Sequence, residues 1–270
     1  MENRLEQILR SKREEIAHFG SACDQWRKEA LAAKRGFRSM ARALKKQERI
    51  GVLAEVKRAS PSAGPIAPDC DPVRQALLYA EAGADAISVL TDGPFFSGCA
   101  EDLRRIRQAV DLPLLRKDFV LSEVQLYQSV LLGADAVLLI VAALSTPELR
   151  RLHALALDLG LEALVEVHDP AELDQALGVG ATLIGINNRD LRTFSIDLKT
   201  SERLAGAIPE DRVAVSESGI VSGTQAEHLR SLGIDAILVG EALMRSADPK
   251  AKLAEFRRSA GVRARRRPLA

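Results

Sequence analysis

At 270 residues, 47% apolar and 28% charged, the chain has the balance of a globular protein with a full core, long enough for one α/β barrel of about 250 residues or for two smaller domains. No apolar run approaches the roughly 20 residues that span a bilayer, and the first ten residues are charged throughout, so neither a membrane span nor a secretory leader is expected. The net charge of +1 hides two basic ends around an acidic middle; Arg263 and Arg265 to Arg267 have no aromatic residues among them, which favours a solvated tail over a nucleic-acid site.

Residues 1–50 carry helical patterning over 3–19 and 29–47 and read as an N-terminal extension packed on the mouth of the domain that the rest of the chain forms. From residue 51, short β-branched runs alternate with helical stretches, the pattern of parallel strands covered by helices. Strands are predicted at 52–57, 86–91, 113–119, 136–141, 163–168, 183–189, 212–218 and 236–240. Between them, Asp71-Pro72, Thr146-Pro147 and Asp169-Pro170 each place an oxygen-bearing cap before a proline, which lacks only the N–H that a first helical turn leaves unpaired.

Four segments repeat: A-G-A-D-A-I-S-V-L from Ala82, L-G-A-D-A-V-L-L-I from Leu132, V-G-A-T-L-I-G-I from Val179 and L-G-I-D-A-I-L-V-G from Leu232. Their glycines recur at roughly 50-residue intervals, each ending a helix and launching an apolar strand. Four double units make eight βα units, the number that closes a (β/α)8 TIM barrel, here over residues 51–259, with a basic tail at 260–270. A doubly wound open sheet finds no support, because no G-x-G-x-x-G follows the first strand. Cys23, Cys70 and Cys99 form no C-x-x-C pair and have no paired histidines nearby, so no metal and no disulfide framework is expected, and the expected setting is reducing and cytoplasmic.

In such a barrel the chemistry belongs at the C-terminal ends of the strands, and this chain places charge there repeatedly. The first strand puts Glu55 and Lys57 on one face with Ser60 in the loop beyond; the third puts Lys117 and Phe119 on one face and Asp118 on the other. Glu166, Asn187 with Arg189, and Glu217 with Ser218 close the fifth, sixth and seventh. Three carboxylates (Glu55, Glu166, Glu217) against three cations (Lys57, Lys117, Arg189) compensate one another, either as rivets between strands or as an acid–base set in which burial pulls lysines down and crowding pushes carboxylates up.

S-E-S-G-I, with Ser218 and Gly219, and V-G-E-A-L-M, with Gly240 and Glu241, come after the seventh and eighth strands, where barrels of this kind bind phosphate through backbone N–H groups. A phosphorylated small molecule is the expected partner. The loop T-D-G-P-F-F-S-G offers Phe95 and Phe96 either to an aromatic ring or to the N-terminal helix. His168, one step before the Asp169 cap, reads as structural. At this point a sugar-phosphate isomerase, a Schiff-base aldolase using Lys117 or Lys57, and a non-catalytic barrel remain open.

Taken together, A-E-V-K-R-A-S-P-S (54–62), L-T-D-G-P-F-F-S-G (90–98), L-R-K-D-F (115–119), L-V-E-V-H (164–168), G-I-N-N-R-D-L (185–191), S-E-S-G-I (216–220) and V-G-E-A-L-M (239–244) resemble indole-3-glycerol phosphate synthases. The resemblance covers residues 51–244 and includes the helical extension. It implies ring closure of 1-(2-carboxyphenylamino)-1-deoxyribulose 5-phosphate with loss of CO2 and water, in tryptophan biosynthesis, without metal or organic cofactor. It implies Lys117 as general acid, Glu166 in charge stabilisation and proton transfer, Glu55 and Asn187 on the substrate hydroxyls, and Lys57 on the carboxylate. Arg189, Glu217, Ser218, Gly219, Phe95, Phe96 and Phe119 would complete the pocket, and Ser60, Gly219, Gly240 and the backbone at Glu241 would hold phosphate. Some family members carry Ser where this chain has Glu241, so its carboxylate is expected to turn away from the phosphate. A monomer or weak homo-oligomer is expected, with no nucleic-acid or membrane partner.

Overall fold

The computed structural model describes residues 3–20 and 22–258, so the tail expected at 260–270 lies outside the described residues. Eight parallel strands close into a barrel in sequence order: β1 Gly51–Val56, β2 Ala86–Leu90, β3 Leu114–Lys117, β4 Ala136–Ile140, β5 Glu162–Val167, β6 Leu183–Asn187, β7 Val213–Glu217 and β8 Ala236–Val239, with β8 pairing back onto β1. Around it run α4 Pro72–Glu81, α6 Ala100–Ala109, α7 Glu123–Leu132, α8 Thr146–Asp158, α9 Pro170–Gly178, α10 Lys199–Ala205, α11 Gly223–Ser231 and α13 Pro249–Arg257; α5 Gly93–Phe96 and α12 Glu241–Met244 are single turns in the mouth-side loops. None of the described helices is long and apolar enough to cross a membrane.

The period-two alternation of each strand splits the core into two apolar layers. Val52, Ala54, Ile87, Val89, Leu114, Val137, Leu139, Val165, Ile184 and Ile237 face the helices. Leu53, Ala86, Leu115, Leu138, Ile140, Leu164, Leu183, Val215 and Leu238 fill the barrel. Continuing the inward set by two residues reaches Glu55, Lys117, Glu166 and Glu217 at the C-terminal ends, so the pleat that packs the core also aims these charges into the mouth.

At the other end of the barrel, the repeat has a second use. Asp85, Asp135 and Asp235, two residues after the repeat glycines, accept hydrogen bonds from the backbone N–H groups of Val52 (2.9 Å), Leu114 (3.0 Å) and Ala214 (2.9 Å), each tying the start of one strand to the preceding one. The glycines themselves, Gly83, Gly133, Gly180 and Gly233, take the positive φ that the helix-ending role requires.

The extension forms three helices, α1 Arg4–Ala17, α2 Ala22–Ala32 and α3 Met40–Leu44, where two were expected. Residues 33–39 are not helical: Arg35 and the Arg38 N–H reach to Asp135 there, contacts that a continued helix would not place. Only α1 sits at the mouth, through Leu5, Ile8 and Leu9; α3 plugs the opposite end, with Met40 and Leu44 fully buried and Ser39 Oγ and Ala41 N–H donating to Glu162 (2.7 and 2.8 Å).

Two smaller differences from the sequence reading have local causes. The strands end one or two residues early because polar groups at the mouth leave the ladder for side-chain bonds, as where Arg189 N–H donates to Asn187 Oδ1 (3.0 Å) and Phe119 N–H to Asp118 Oδ1 (2.8 Å). Asp71 and Asp169 cap α4 and α9 as expected, but α8 is capped one residue before Thr146 by Ser145, with the Ser145 N–H and hydroxyl both donating to Glu148.

Candidate active site

A cavity of about 500 Å³ opens at the C-terminal end of the strands. Glu55, Lys57, Ser60, Phe96, Lys117, Phe119, Glu166, Asn187, Arg189, Ser218, Gly219, Gly240 and Glu241 line it, so thirteen residues from seven strand ends and the loops after them converge on one hollow. Phe95 and Glu217 do not line it: Phe95 packs against the apolar cluster that α1 joins, and Glu217 is buried behind Lys117. Leu138, Ile140, Leu191, Phe194 and Ile196 add an apolar wall that the sequence reading did not single out.

At its floor, Lys117 Nζ stands 2.9 Å from Glu217 Oε2 and 3.5 Å from Glu166 Oε2, while Lys57 Nζ pairs with Glu55 Oε2 at 2.8 Å. Two glycines make this crowding possible. A Cβ at Gly185, in mid-strand, would collide with the Glu217 carboxylate, and one at Gly240 with that of Glu55.

The cluster is not saturated. Both carboxylate oxygens of Glu217 and Oε1 of Glu166 are buried without a hydrogen-bond partner, although each residue has an ion pair to Lys117. Unspent acceptors inside a protein cost free energy, and they mark groups held for a ligand or a proton.

Electrostatics sorts the three central groups. Burial pulls the Lys117 pKa down, but Glu217, Glu166 and Glu55 around it outweigh that pull, and it lies above the ordinary lysine value rather than below it as expected. Glu166 is buried too, yet Lys117 and His168, with the Asn187 amide nearby, bring it below the usual carboxylate value. Glu217 is pushed up to about 7, chiefly by burial and also by its neighbours Glu166 and Glu55, against the pull of Lys117.

Toward the rim, Ser218 has φ 65° and Gly219 φ 79°, a sharp left-handed turn that is strained at the serine. Arg189 Nη1 donates to Ser62 Oγ (2.7 Å) and to the Phe194 carbonyl (3.1 Å), tying the loop after β6 to the loop after β1. The Glu241 carboxylate turns to Arg245 Nε at 2.9 Å on the exposed side. Phe96 and Phe119 lie with ring centroids 6.2 Å apart and planes tilted by 35°, packed on each other as one aromatic patch in the cavity wall.

Three features escaped the sequence reading. Lys12 of α1 is 1% exposed and ion-paired to Asp92 (3.0 Å), Asp118 (2.9 Å) and Glu15 (2.7 Å). Arg116 and Asp118 form a buried pair behind Lys117. His168 stands between Glu172 and Glu166. A lysine on the apolar stripe Leu5, Ile8, Leu9, Lys12 was the available signal for the first, and Glu172 four residues after His168 for the last. Among the described residues no group of three or more His, Cys, Asp or Glu side chains is placed to hold a metal ion.

Residues 5–256 match the family model described as indole-3-glycerol phosphate synthase. The chain is 51% identical over 215 residues to the indole-3-glycerol phosphate synthase of Acetivibrio thermocellus, covering 80% of this chain and 83% of that protein. It is 46% identical over 262 residues to that of Laribacter hongkongensis, covering 95% and 99%. Among solved structures, a 3-hexulose-6-phosphate synthase superposes with a TM-score of 0.60 at 14% identity, over 78% of this chain and all of that one, a likeness of fold.

Proposed function

The chain belongs to the indole-3-glycerol phosphate synthase family and acts on a phosphorylated small molecule in tryptophan biosynthesis, and from that premise we propose how its own residues close the indole ring. The substrate phosphate binds at the rim, between Ser60, Gly219, Gly240 and the backbone N–H of Glu241. Phe96 and Phe119 take the aryl ring, Lys57 its carboxylate, and Glu55 and Asn187 the ribulose hydroxyls. Arg189 and Ser218 shape the rim, and Glu217 positions Lys117 from behind.

Lys117 then donates its proton to the ribulose carbonyl oxygen as the carboxylate-bearing aromatic carbon attacks. Its ammonium meets negative charge as that charge develops, in a site walled by Leu138, Ile140 and Phe194. Departure of CO2 returns the bonding pair to the ring and restores aromaticity. Glu166 faces the positive nitrogen of the intermediate and handles the later proton transfers. The observation that carries this reading is the Lys117 ammonium at 2.9 Å and 3.5 Å from two carboxylates at the floor of an aromatic-walled hollow.

Three unpaired cysteines, Cys23, Cys70 and Cys99, support a reducing cytoplasmic setting. The large exposed apolar side chains among the described residues, Leu31, Leu77, Leu157, Ile196 and Val221, sit on separate elements, which supports a monomer or weak homo-oligomer without membrane or nucleic-acid partners. Glu166→Gln tests the proton-transfer role: turnover, followed by indole fluorescence, falls about 10²-fold or more, whereas a loss under threefold reduces Glu166 to packing.

A further inference from the structure

Ring closure has a proton balance that the cavity alone does not meet. The substrate carboxylate leaves as neutral CO2, its electron pair returning to the ring, while the carbonyl oxygen takes a proton from Lys117. When that oxygen leaves as water it takes a second proton, which the loss of a methylene C–H proton returns as the indole forms. Each turnover therefore draws one proton from solvent, and the groups that relay it lie deep: Glu166 is 1% exposed, and Lys117 stands in the cavity that the proposed substrate fills.

His168, just beyond β5, supplies a route from the other side. Its ring is 16% exposed and lines a second hollow of about 350 Å³, beside the main cavity and sharing Asn187 and Leu191 with it. Glu172, from the first turn of α9, lines the same hollow; its Oε2 accepts the His168 backbone N–H at 2.7 Å and lies 2.9 Å from Nδ1. That carboxylate fixes the ring with Nδ1–H toward Glu172 and Nε2 toward Glu166 Oε1, at 3.6 Å.

Nε2 and Oε1 are both buried, and neither has a hydrogen-bond partner. With Nδ1 carrying the hydrogen, a neutral ring would set lone pair against lone pair; one additional proton on Nε2 turns that opposition into attraction across the 3.6 Å. We propose that His168 is the proton-supply residue of this site: held in place by Glu172, the charged ring passes its Nε2 proton to Glu166, which recharges Lys117, and the neutral ring then turns about Cβ–Cγ to take the replacement proton at Nε2 from the side hollow before it returns. The proposal rests on the role given to Glu166 above.

The surroundings favour the charged ring. Burial lowers the His168 pKa, but Glu172, Glu166 and Glu217 together raise it above the ordinary histidine value. Across the hollow stand Asp190 and Asp197 with Arg192 and Arg203. A raised histidine holds its proton at low pH and loses it as pH rises through the folded-state value, so turnover carries a declining alkaline limb that depends on His168.

The test measures kcat, KM and pH profile for the parent, His168→Gln, His168→Ala, Glu172→Gln and Glu166→Gln, with thermal unfolding of each. His168→Gln lowers kcat roughly tenfold or more at little-changed KM, removes the limb, and enlarges the D2O effect on kcat. Added imidazole restores His168→Ala in proportion to its imidazolium form, and Glu172→Gln shows an intermediate loss. A His168→Gln kcat within twofold of the parent, or an unchanged limb, overturns the relay even when Glu166→Gln is inactive. So does a loss in His168→Ala that tracks a lowered Tm and resists imidazole. Parental turnover in Glu166→Gln overturns the underlying reading and the relay with it.

Discussion

One strand serves two buried charge clusters of opposite character. From the outward face of β3, Arg116 donates to Thr91 Oγ1 (3.2 Å), the Gln125 carbonyl (3.1 Å), Ser129 Oγ (3.2 Å) and Asp118 Oδ2 (3.0 Å), and with Asp118 it meets Lys12 of α1. From the inward face, Lys117 meets Glu166 and Glu217, which keep three buried oxygens without hydrogen bonds. The first cluster spends its hydrogen-bonding capacity on itself and clamps α1 to the mouth; the second withholds its capacity. Saturation, rather than charge or burial, separates the structural cluster from the reactive one.

That contrast breaks if the two clusters respond alike to mutation. Lys12→Met removes the lysine of the clamp, leaving Asp92 without its cation and Asp118 with Arg116 alone, so urea unfolding shows a loss of about 3–5 kcal/mol. Met is chosen to keep the packing of the stem. Asp118→Asn costs about 1–3 kcal/mol, since Lys12 and Arg116 each keep other acceptors.

Its pH dependence sharpens the point. The Arg116 and Lys12 charges overcome burial and hold Asp118 at about 2, below its ordinary 3.8, so its contribution is complete above 3.8 and fades as pH falls through about 2. The gap in Tm between parent and Asp118→Asn therefore closes over that range.

Glu217→Gln goes the other way, by about 1 kcal/mol. Its carboxyl is raised from 4.5 to about 7, so ionisation destabilises the folded state progressively as pH rises through that window. The amide form raises Tm at pH 8, has no effect at pH 4, and lowers kcat. A destabilised Glu217→Gln at pH 8 would place Glu217 with the clamp.

Much of the architecture was legible in the chain. The repeat glycines and the alternation of β-branched runs announced eight βα units, because a closed barrel leaves each strand the same task. Glu55, Lys117, Glu166 and Asn187 were legible since a charge or amide late in an apolar strand has few places to go but the mouth. What was hidden depends on distance across the fold. Lys12 lies 106 residues before Asp118, and its inward aim is set only once α1 is docked. Gly185 reads as a weak strand residue until Glu217 occupies the space of its missing side chain. The recurring aspartates were visible, but the backbone N–H groups they bind belong to the preceding strand.

The most direct measurement is turnover of 1-(2-carboxyphenylamino)-1-deoxyribulose 5-phosphate by Lys117→Ala, alongside its Tm and its affinity for a reduced, unreactive form of that substrate. The account predicts indole fluorescence down by about 10³-fold or more, with Tm within a few degrees of the parent and affinity within a few-fold. Parental turnover, or a protein that unfolds as Lys12→Met does, would contradict it.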